Sequence, residues 1–289
     1  MIIYKPPHRV EGAPNLSKGI DVFSVTANMA HDKIITIDPA EEPVIGETIE
    51  LLRAIHGEKY VNAILAGTEL NGYGSRDSGE NFHSVFSCAI MRDAALTALR
   101  DPKTPVFAPV SGFHHAGYGY CGGYCTFNGL ILAAMAVYEK KPDAKILIID
   151  GDGHFGDGTA DLINKLGLDW LSHLSLSKSS VRGDYPIARG FTNTWLNRRK
   201  WDLVIYQAGA DSHADDPYYS GYLTDGEWLA RDAQIFGHCH DTETPIVFAL
   251  AGGYNGSKTI LLHSSTVSTT RSVYQEPARA HLSPSPDHG

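Results

Sequence analysis

The chain has 289 residues, which fits one large α/β domain or two small ones, and 43% of them are apolar, enough to fill a sizeable core. The formal charge of -9 argues against a polyphosphate partner such as nucleic acid, while leaving room for a local basic patch. The opening MIIYKPPHRV reads as neither a signal nor a transit peptide, and no apolar run reaches membrane-spanning length, so no membrane partner is expected. The cysteines Cys88, Cys121, Cys125 and Cys239 are few and irregularly spaced, which points to a reducing, cytoplasmic setting rather than a disulfide framework. Cys121 and Cys125 lack a second Cys or His pair that would complete a four-ligand metal site.

In chain order, Ile2 to Tyr4 reads as a short strand, and Asn15 to Glu42 carries few regular signals. Glu47 to His56 and Glu58 to Leu65 place apolar residues at helical spacing on either side of Gly57. Asn71 to Asn81, NGYGSRDSGEN, is a loop by composition, followed by a long Ala- and Leu-rich helix over Phe82 to Leu99. Asp77 and Glu80 in that loop read equally well as helix-start carboxylates. Pro105 to Pro109 is a strand, then SGFHHA and the Gly- and Tyr-rich GYGYCGGYC lead into a helix over Phe127 to Tyr138. Lys145 to Ile149 is a buried strand that turns abruptly into Asp150, Gly151, Asp152, Gly153 and His154. A helix over Thr159 to Leu166 and a strand over Trp170 to Leu176 follow. Lys178 to Gly190 is irregular and Phe191 to Trp201 undetermined. Leu203 to Tyr206 is another buried strand, Thr224 caps a helix running to Phe236, Ile246 to Leu250 is the last strand, and a final helix follows Asn255. The closing ARAHLSPSPDHG is polar and Pro-rich; a single domain over 1–270 with a disordered tail over 271–289 is the expected organisation.

Strands alternating with helices predict a three-layer α/β/α architecture around a central, mostly parallel sheet. In such sheets the ligand crevice lies at the carboxyl ends of the strands. Four polar clusters follow four apolar strands here, so His114 and His115, Asp150 to Asp157, Asp211 and Tyr254 can converge without being sequence neighbours. There is no internal repeat, dinucleotide Gly fingerprint or phosphate loop. In an extended segment Asp150, Asp152 and His154 point to one side, and two carboxylates beside an imidazole crowd each other badly without a cation. Asp152, His154 and Asp211 make a three-ligand set of the kind catalytic zinc uses, and their oxygen-rich character leaves Fe(II) or Co(II) open. His114 and His115 are placed to take up and return a proton, with Asp150 and Asp157 as the acceptors that orient them. Tyr254, in a Gly-Gly-Tyr turn, can hydrogen-bond a substrate carbonyl opposite the metal.

Together GFHHA, IDGDGHFGDGT, AGADSHADDP followed by LT, and AGGYN resemble the zinc-dependent histone deacetylase family and its bacterial relatives, the acetylpolyamine amidohydrolases. ELLRAIHGEKYVNAI is a weaker match. The resemblance implies an arginase/deacetylase-like fold and a metal-dependent amidohydrolase of acylated amines, either small molecules or acyl-lysine peptides. It implies one zinc on Asp152, His154 and Asp211, His114 and His115 as the proton-transfer pair backed by Asp150 and Asp157, and Tyr254 as the carbonyl-polarising residue. It further implies an inner potassium site at Asp150, Asp152, His154, Ser175 and Leu176, largely through backbone oxygens. Asp77 falls where a loop carboxylate grips substrate amides, Tyr124 on an aromatic wall of the acyl-lysine channel, and Tyr218 where a Leu or Met usually lines that channel.

The departures are at the rim. HRVEGAPN stands where the family has a His-Pro-Glu element, the stretch from Gly158 to Trp201 is short, and the Pro-Gly-Thr-Gly loop is missing. These put the substrate in doubt rather than the reaction type. A binuclear manganese ureohydrolase of arginase type, drawing on Asp215 and Asp216, and a non-catalytic acyl-lysine binder are the alternatives. Nothing in the sequence sets the oligomeric state.

Overall fold

The structure is a computed structural model in which residues 1–7, 14–28, 35–37, 43–218 and 220–275 are described. Among them, strands β1 (Ile2–Tyr4), β2 (Ile35–Ile37), β3 (Val106–Ala108), β4 (Ile146–Asp150), β5 (Leu171–Ser175), β6 (Leu203–Ala208) and β7 (Ile246–Leu250) form one sheet. Their order is β2-β1-β3-β7-β6-β4-β5, and every pairing is parallel. The helices are α1 (Pro14–Asn28), α2 (Pro43–His56), α3 (Glu58–Leu65), α4 (Ser78–Ala98), α5 (Gly129–Lys140), α6 (Asp157–Leu166), α7 (Tyr185–Asn197), α8 (Asp225–Asp241) and α9 (Gly256–Gln275).

The central strands read as unbroken apolar runs because both faces are covered. Ile146 and Ile148 of β4 join a core with α2, α3, α4, α5 and α6, while Leu147 and Ile149 join a second core with α1, α7, α8 and α9. This is the expected three-layer arrangement, and its two-residue alternation is the pleat of the strand. Register matters most for the site. Ala108 pairs with Ala249, Gln207 with Ala249 and Asp150 with Gln207, so β3, β7, β6 and β4 end level with one another. The polar segments that follow them therefore leave the sheet along one edge.

Most elements fall where the sequence places them, with three differences. The supposedly irregular stretch from Asn15 contains α1 and β2. The irregular and undetermined segments between Lys178 and Trp201 hold α7, whose Asp184 accepts a cap hydrogen bond from the Ile187 amide at 2.9 Å and which carries Pro in its first turn. Helix α9 runs on to Gln275, into the segment expected to be tail; the rest of that expectation, like most of HRVEGAPN, lies outside the described residues.

The second core is anchored by Phe248, which is fully buried, stacks on Phe107 at 4.7 Å and meets the edge of Phe236 at 5.0 Å. Phe248→Ala should cost about 3–5 kcal/mol, the range for truncating a buried aromatic. Urea unfolding checks this; an unchanged midpoint would mean that β7 is not central to the sheet.

Candidate metal centre

The centre is built from the segments that follow β3, β4, β6 and β7. Asp150, the last residue of β4, is completely buried. Its Oδ1 accepts hydrogen bonds from Gln207 Nε2 at 2.9 Å and the Asp152 amide at 3.2 Å, and its Oδ2 accepts from His114 Nδ1 at 2.8 Å. The first two contacts bend the chain so that Asp152 turns back toward the strand ends. Asp152 Oδ2 then accepts from the Gly252 amide at 2.8 Å, and Asp211 Oδ1 accepts from the Gly153 amide at 2.9 Å. Asp211 sits in a single 3₁₀ turn, Ala210–Ser212, directly after β6. His154 Nδ1 lies 2.8 Å from Asp211 Oδ2 and 3.2 Å from Asp152 Oδ1.

One candidate ligand atom from each of Asp152, His154 and Asp211 lies within 4.8 Å of the other two. Two fully buried carboxylates are thus turned toward one imidazole. Burial first, and the neighbouring Asp152 charge second, push the Asp211 carboxyl up to about 7. Hydrogen bonds to the same two carboxylates raise His154 to about 10. The cluster holds protons because it has excess negative charge, and a divalent cation relieves that excess equally well. The donor set and its spacing therefore fit a metal ion of the zinc type.

Two imidazoles stand beside the cluster, with ring centroids 4.0 Å apart. Burial disfavours the charged form of His114, but Asp150 and Asp152 outweigh it and raise its pKa to about 9. His115 Nδ1 lies 2.6 Å from Asp157 Oδ1 at the start of α6, so each ring has one nitrogen held by a carboxylate. Tyr254 follows Gly253, whose φ of 136° is a backbone conformation that favours glycine. Its amide is held by Asp216 Oδ2 at 3.0 Å. Burial and the charges of Asp152 and Asp211 push its hydroxyl above the ordinary tyrosine range, so it stays protonated and can donate.

His114, His115, Asp152, His154 and Tyr254 line a single narrow cleft with about 30 Å³ of free volume. A wider hollow, of about 1070 Å³ between α7 and α8, shares no residue with it and gathers no comparable set of ionisable groups. Tyr124, with φ 63°, lines the cleft, and Tyr218 packs edge-on against Tyr254 at 4.6 Å while remaining 57% exposed. Asp77 does not line the cleft: its Oδ1 caps α4 by accepting from the Glu80 amide at 3.0 Å, as a helix-start carboxylate does. Ser175 ends β5, and the Leu176 amide donates to the Asp150 carbonyl at 2.8 Å, which brings that segment against the Asp150–His154 bend. The Leu176 carbonyl accepts the Tyr222 hydroxyl at 2.7 Å.

Several cleft residues escaped the sequence reading: Lys18, Tyr73, Cys125, Gln207 and Gly252. Lys18 of α1 donates to the Ala251 carbonyl from a half-buried position. Gln207 had a legible signal, a polar side chain inside the apolar run of β6. Gly252 was visible only as part of the Gly-Gly-Tyr turn, not for its close approach to Asp211, where a Cβ would sit 2.4 Å from the carboxylate carbon.

A three-layer parallel α/β fold with a carboxylate–imidazole cluster at its strand ends defines a class of metal-site proteins. The histone deacetylase domain profile matches residues 24–194, more than half of the chain, and the chain belongs to that family. It is 32% identical over 178 residues to acetylpolyamine amidohydrolase 2 of Pseudomonas aeruginosa, covering 49% of this chain and 48% of that protein. It is 29% identical over 217 residues to the chloroplastic histone deacetylase 10 of Oryza sativa subsp. japonica, covering 62% and 47% respectively. The chain spans about half the length of these curated relatives. The crystal structure of an acetylpolyamine aminohydrolase from Burkholderia pseudomallei superposes with a TM-score of 0.70 at 14% identity, over 94% of this chain and 99% of that one, and shows the shared deacetylase fold.

Two outcomes follow from the centre. Gly252→Ala should displace the Asp211 carboxylate and weaken Co²⁺ binding by about tenfold or more, read by spectroscopic titration; unaltered affinity would show that the carboxylate does not depend on this close approach. The metal-free protein should lose stability as pH rises. His114 and His154 have folded pKa values of about 9 and about 10, above the ordinary histidine value, so their contribution is complete below about 6.5 and lost on passing those values. Asp211, raised to about 7, acts in the same direction at lower pH. Thermal melts of chelated protein from pH 6 to 10 check this, and a flat profile counts against the protonated cluster.

Proposed function

We propose that the chain is a metal-dependent deacylase that hydrolyses the amide of an acylated amine, an acetyl-lysine or acetylpolyamine-like substrate, with zinc as the resident ion. The observation that carries this reading is the meeting, in one cleft, of the Asp152–His154–Asp211 cluster, two carboxylate-held imidazoles and a protonated tyrosine. A divalent ion held by Asp152, His154 and Asp211 would supply Lewis acidity. The protein groups account for the rest of the chemistry. Asp150 and Asp157 fix the Nδ1 sides of His114 and His115, leaving the Nε2 sides for proton transfer. One imidazole takes a proton from the attacking water and the other returns one to the departing amine, so the C–N bond breaks with release of a carboxylate and an amine. The Tyr254 hydroxyl donates to the amide oxygen as negative charge develops there.

Relatives named acetylpolyamine amidohydrolase and histone deacetylase support the substrate class. A narrow cleft lined by Tyr124, with Tyr218 packed edge-on against Tyr254 beside it, suits a slender acyl chain. Asp150, Asp152, His154, Ser175 and Leu176 are proposed as an inner potassium site, supported by the backbone contact that places Leu176 against Asp150. Asp77 is proposed, through its exposed loop position, as a contact for substrate beyond the cleft.

The binuclear manganese reading has less support. Among the described residues one metal-capable cluster stands, and Asp216 spends both oxygens on the amides of Tyr218 and Tyr254. A cytoplasmic setting is proposed on the four free cysteines; among the described residues no helix is long and apolar enough to cross a membrane.

Zinc-loaded protein offered acetyl-lysine peptides, acetylated polyamines and longer acyl-lysines should release carboxylate from at least one class, and failure on all three would sink the proposal. Tyr254→Phe should keep the metal and lower turnover by about 10²-fold or more. Asp211→Ala should lose the metal, since two ligands rarely hold it, as read by metal analysis after dialysis.

A further inference from the structure

We propose that Arg231 is a positioning residue for the metal centre, tying the two carboxylate-bearing segments together through a single guanidinium nitrogen. The inference rests on the metal reading above. Gly151 lies between Asp150 and Asp152, and Ser212 follows Asp211. Arg231 Nη1 donates to the Gly151 carbonyl at 3.1 Å and to Ser212 Oγ at 2.9 Å. The distance from the β4 segment to the β6 segment is thus spanned by one atom of α8, behind the ligands rather than among them.

That atom has little freedom to move. The Arg231 side chain is buried, and its Nε and Nη2 donate to Asp232 Oδ1 at 3.1 and 3.0 Å. Asp232 is itself fixed, because the Tyr206 hydroxyl donates to Oδ1 and the Thr266 hydroxyl to Oδ2, both at 2.6 Å. The guanidinium plane lies 3.9 Å over the Trp228 ring. Burying a charge is costly unless it is paired and hydrogen-bonded, and here every guanidinium nitrogen is engaged. The pairing holds the fork rigid, and the rigid fork sets the spacing of the segments that carry Asp152 and Asp211. A lysine, with one rotatable ammonium and no planar fork, cannot hold Asp232 and bridge both segments in the same geometry.

The test compares Co²⁺ affinity, the visible absorption of bound Co²⁺ and the melting temperature of the metal-free protein in wild type, Arg231→Lys and Ser212→Ala. Arg231→Lys should bind Co²⁺ about ten- to a hundredfold more weakly, the usual cost of losing a group that orients metal ligands, with altered absorption. Ser212→Ala removes one arm of the bridge without uncovering a charge and should shift the absorption with a smaller loss of affinity. In the double variant the two losses should fall short of their sum, because both act through one nitrogen. Folded Arg231→Lys that binds Co²⁺ as tightly as wild type with the same spectrum, even with a lower melting temperature, overturns the role. If Arg231→Lys does not fold, Ser212→Ala decides: an unaltered affinity and spectrum overturn it. Wild-type protein that captures no Co²⁺ overturns the metal reading itself, a result distinct from either variant's.

Discussion

Two buried carboxylates, Asp152 and Asp211, turned toward the same imidazole are the constraint on which the rest of the structure depends. Such an arrangement is unfavourable by itself, because removing charge from water and placing like charges together both cost free energy. The surroundings offset part of that cost. Backbone amides of Gly153 and Gly252 donate to these oxygens, and His154 supplies a proton between them. What remains is a site whose charge a divalent cation can balance, beside a cleft that presents two further histidines and a tyrosine.

The floor of the cleft and its rim obey different physics. The floor is rigid: its groups sit on level strand ends and are cross-linked by hydrogen bonds between segments distant in sequence. The rim is aromatic and partly exposed, with Tyr218 against Tyr254 and Tyr124 on a left-handed backbone. A floor of this kind fixes a reaction class, while the rim selects among substrates. The family profile and the relatives speak to the first more than to the second, since the chain spans about half the length of those relatives.

Much of this was legible in the sequence, for identifiable reasons. The strands that carry the site are buried on both faces and so appear as apolar runs, each followed by a Gly-containing segment that bears Asp, His or Tyr. That pattern located Asp152, His154, Asp211, His114 and Tyr254 and their meeting place. Helix α7 was hidden because Gly190 and a scatter of Thr and Asn mask its apolar face, although Asp184 and Pro186 mark its start. Helix α1 was hidden for a similar reason, and with it Lys18, whose approach to the Ala251 carbonyl depends on tertiary packing. Arg231 reads as an ordinary charged position on an amphipathic helix. Only the fold shows that it is buried beneath Gly151 and Ser212. Asp77 illustrates the opposite case: its short-range role as a helix cap is directly visible, whereas any contact with substrate is not.

The level ends of β3, β7, β6 and β4 carry one more implication. No single βαβ unit contains the whole cluster, because its ligand-bearing segments leave two different strands, β4 and β6, and are latched to the Gly252 and Gly153 amides. A site distributed in this way has no local precursor during folding. Ion capture should appear late and all at once, making the ion a reporter of whether β4, β6 and β7 have closed in register.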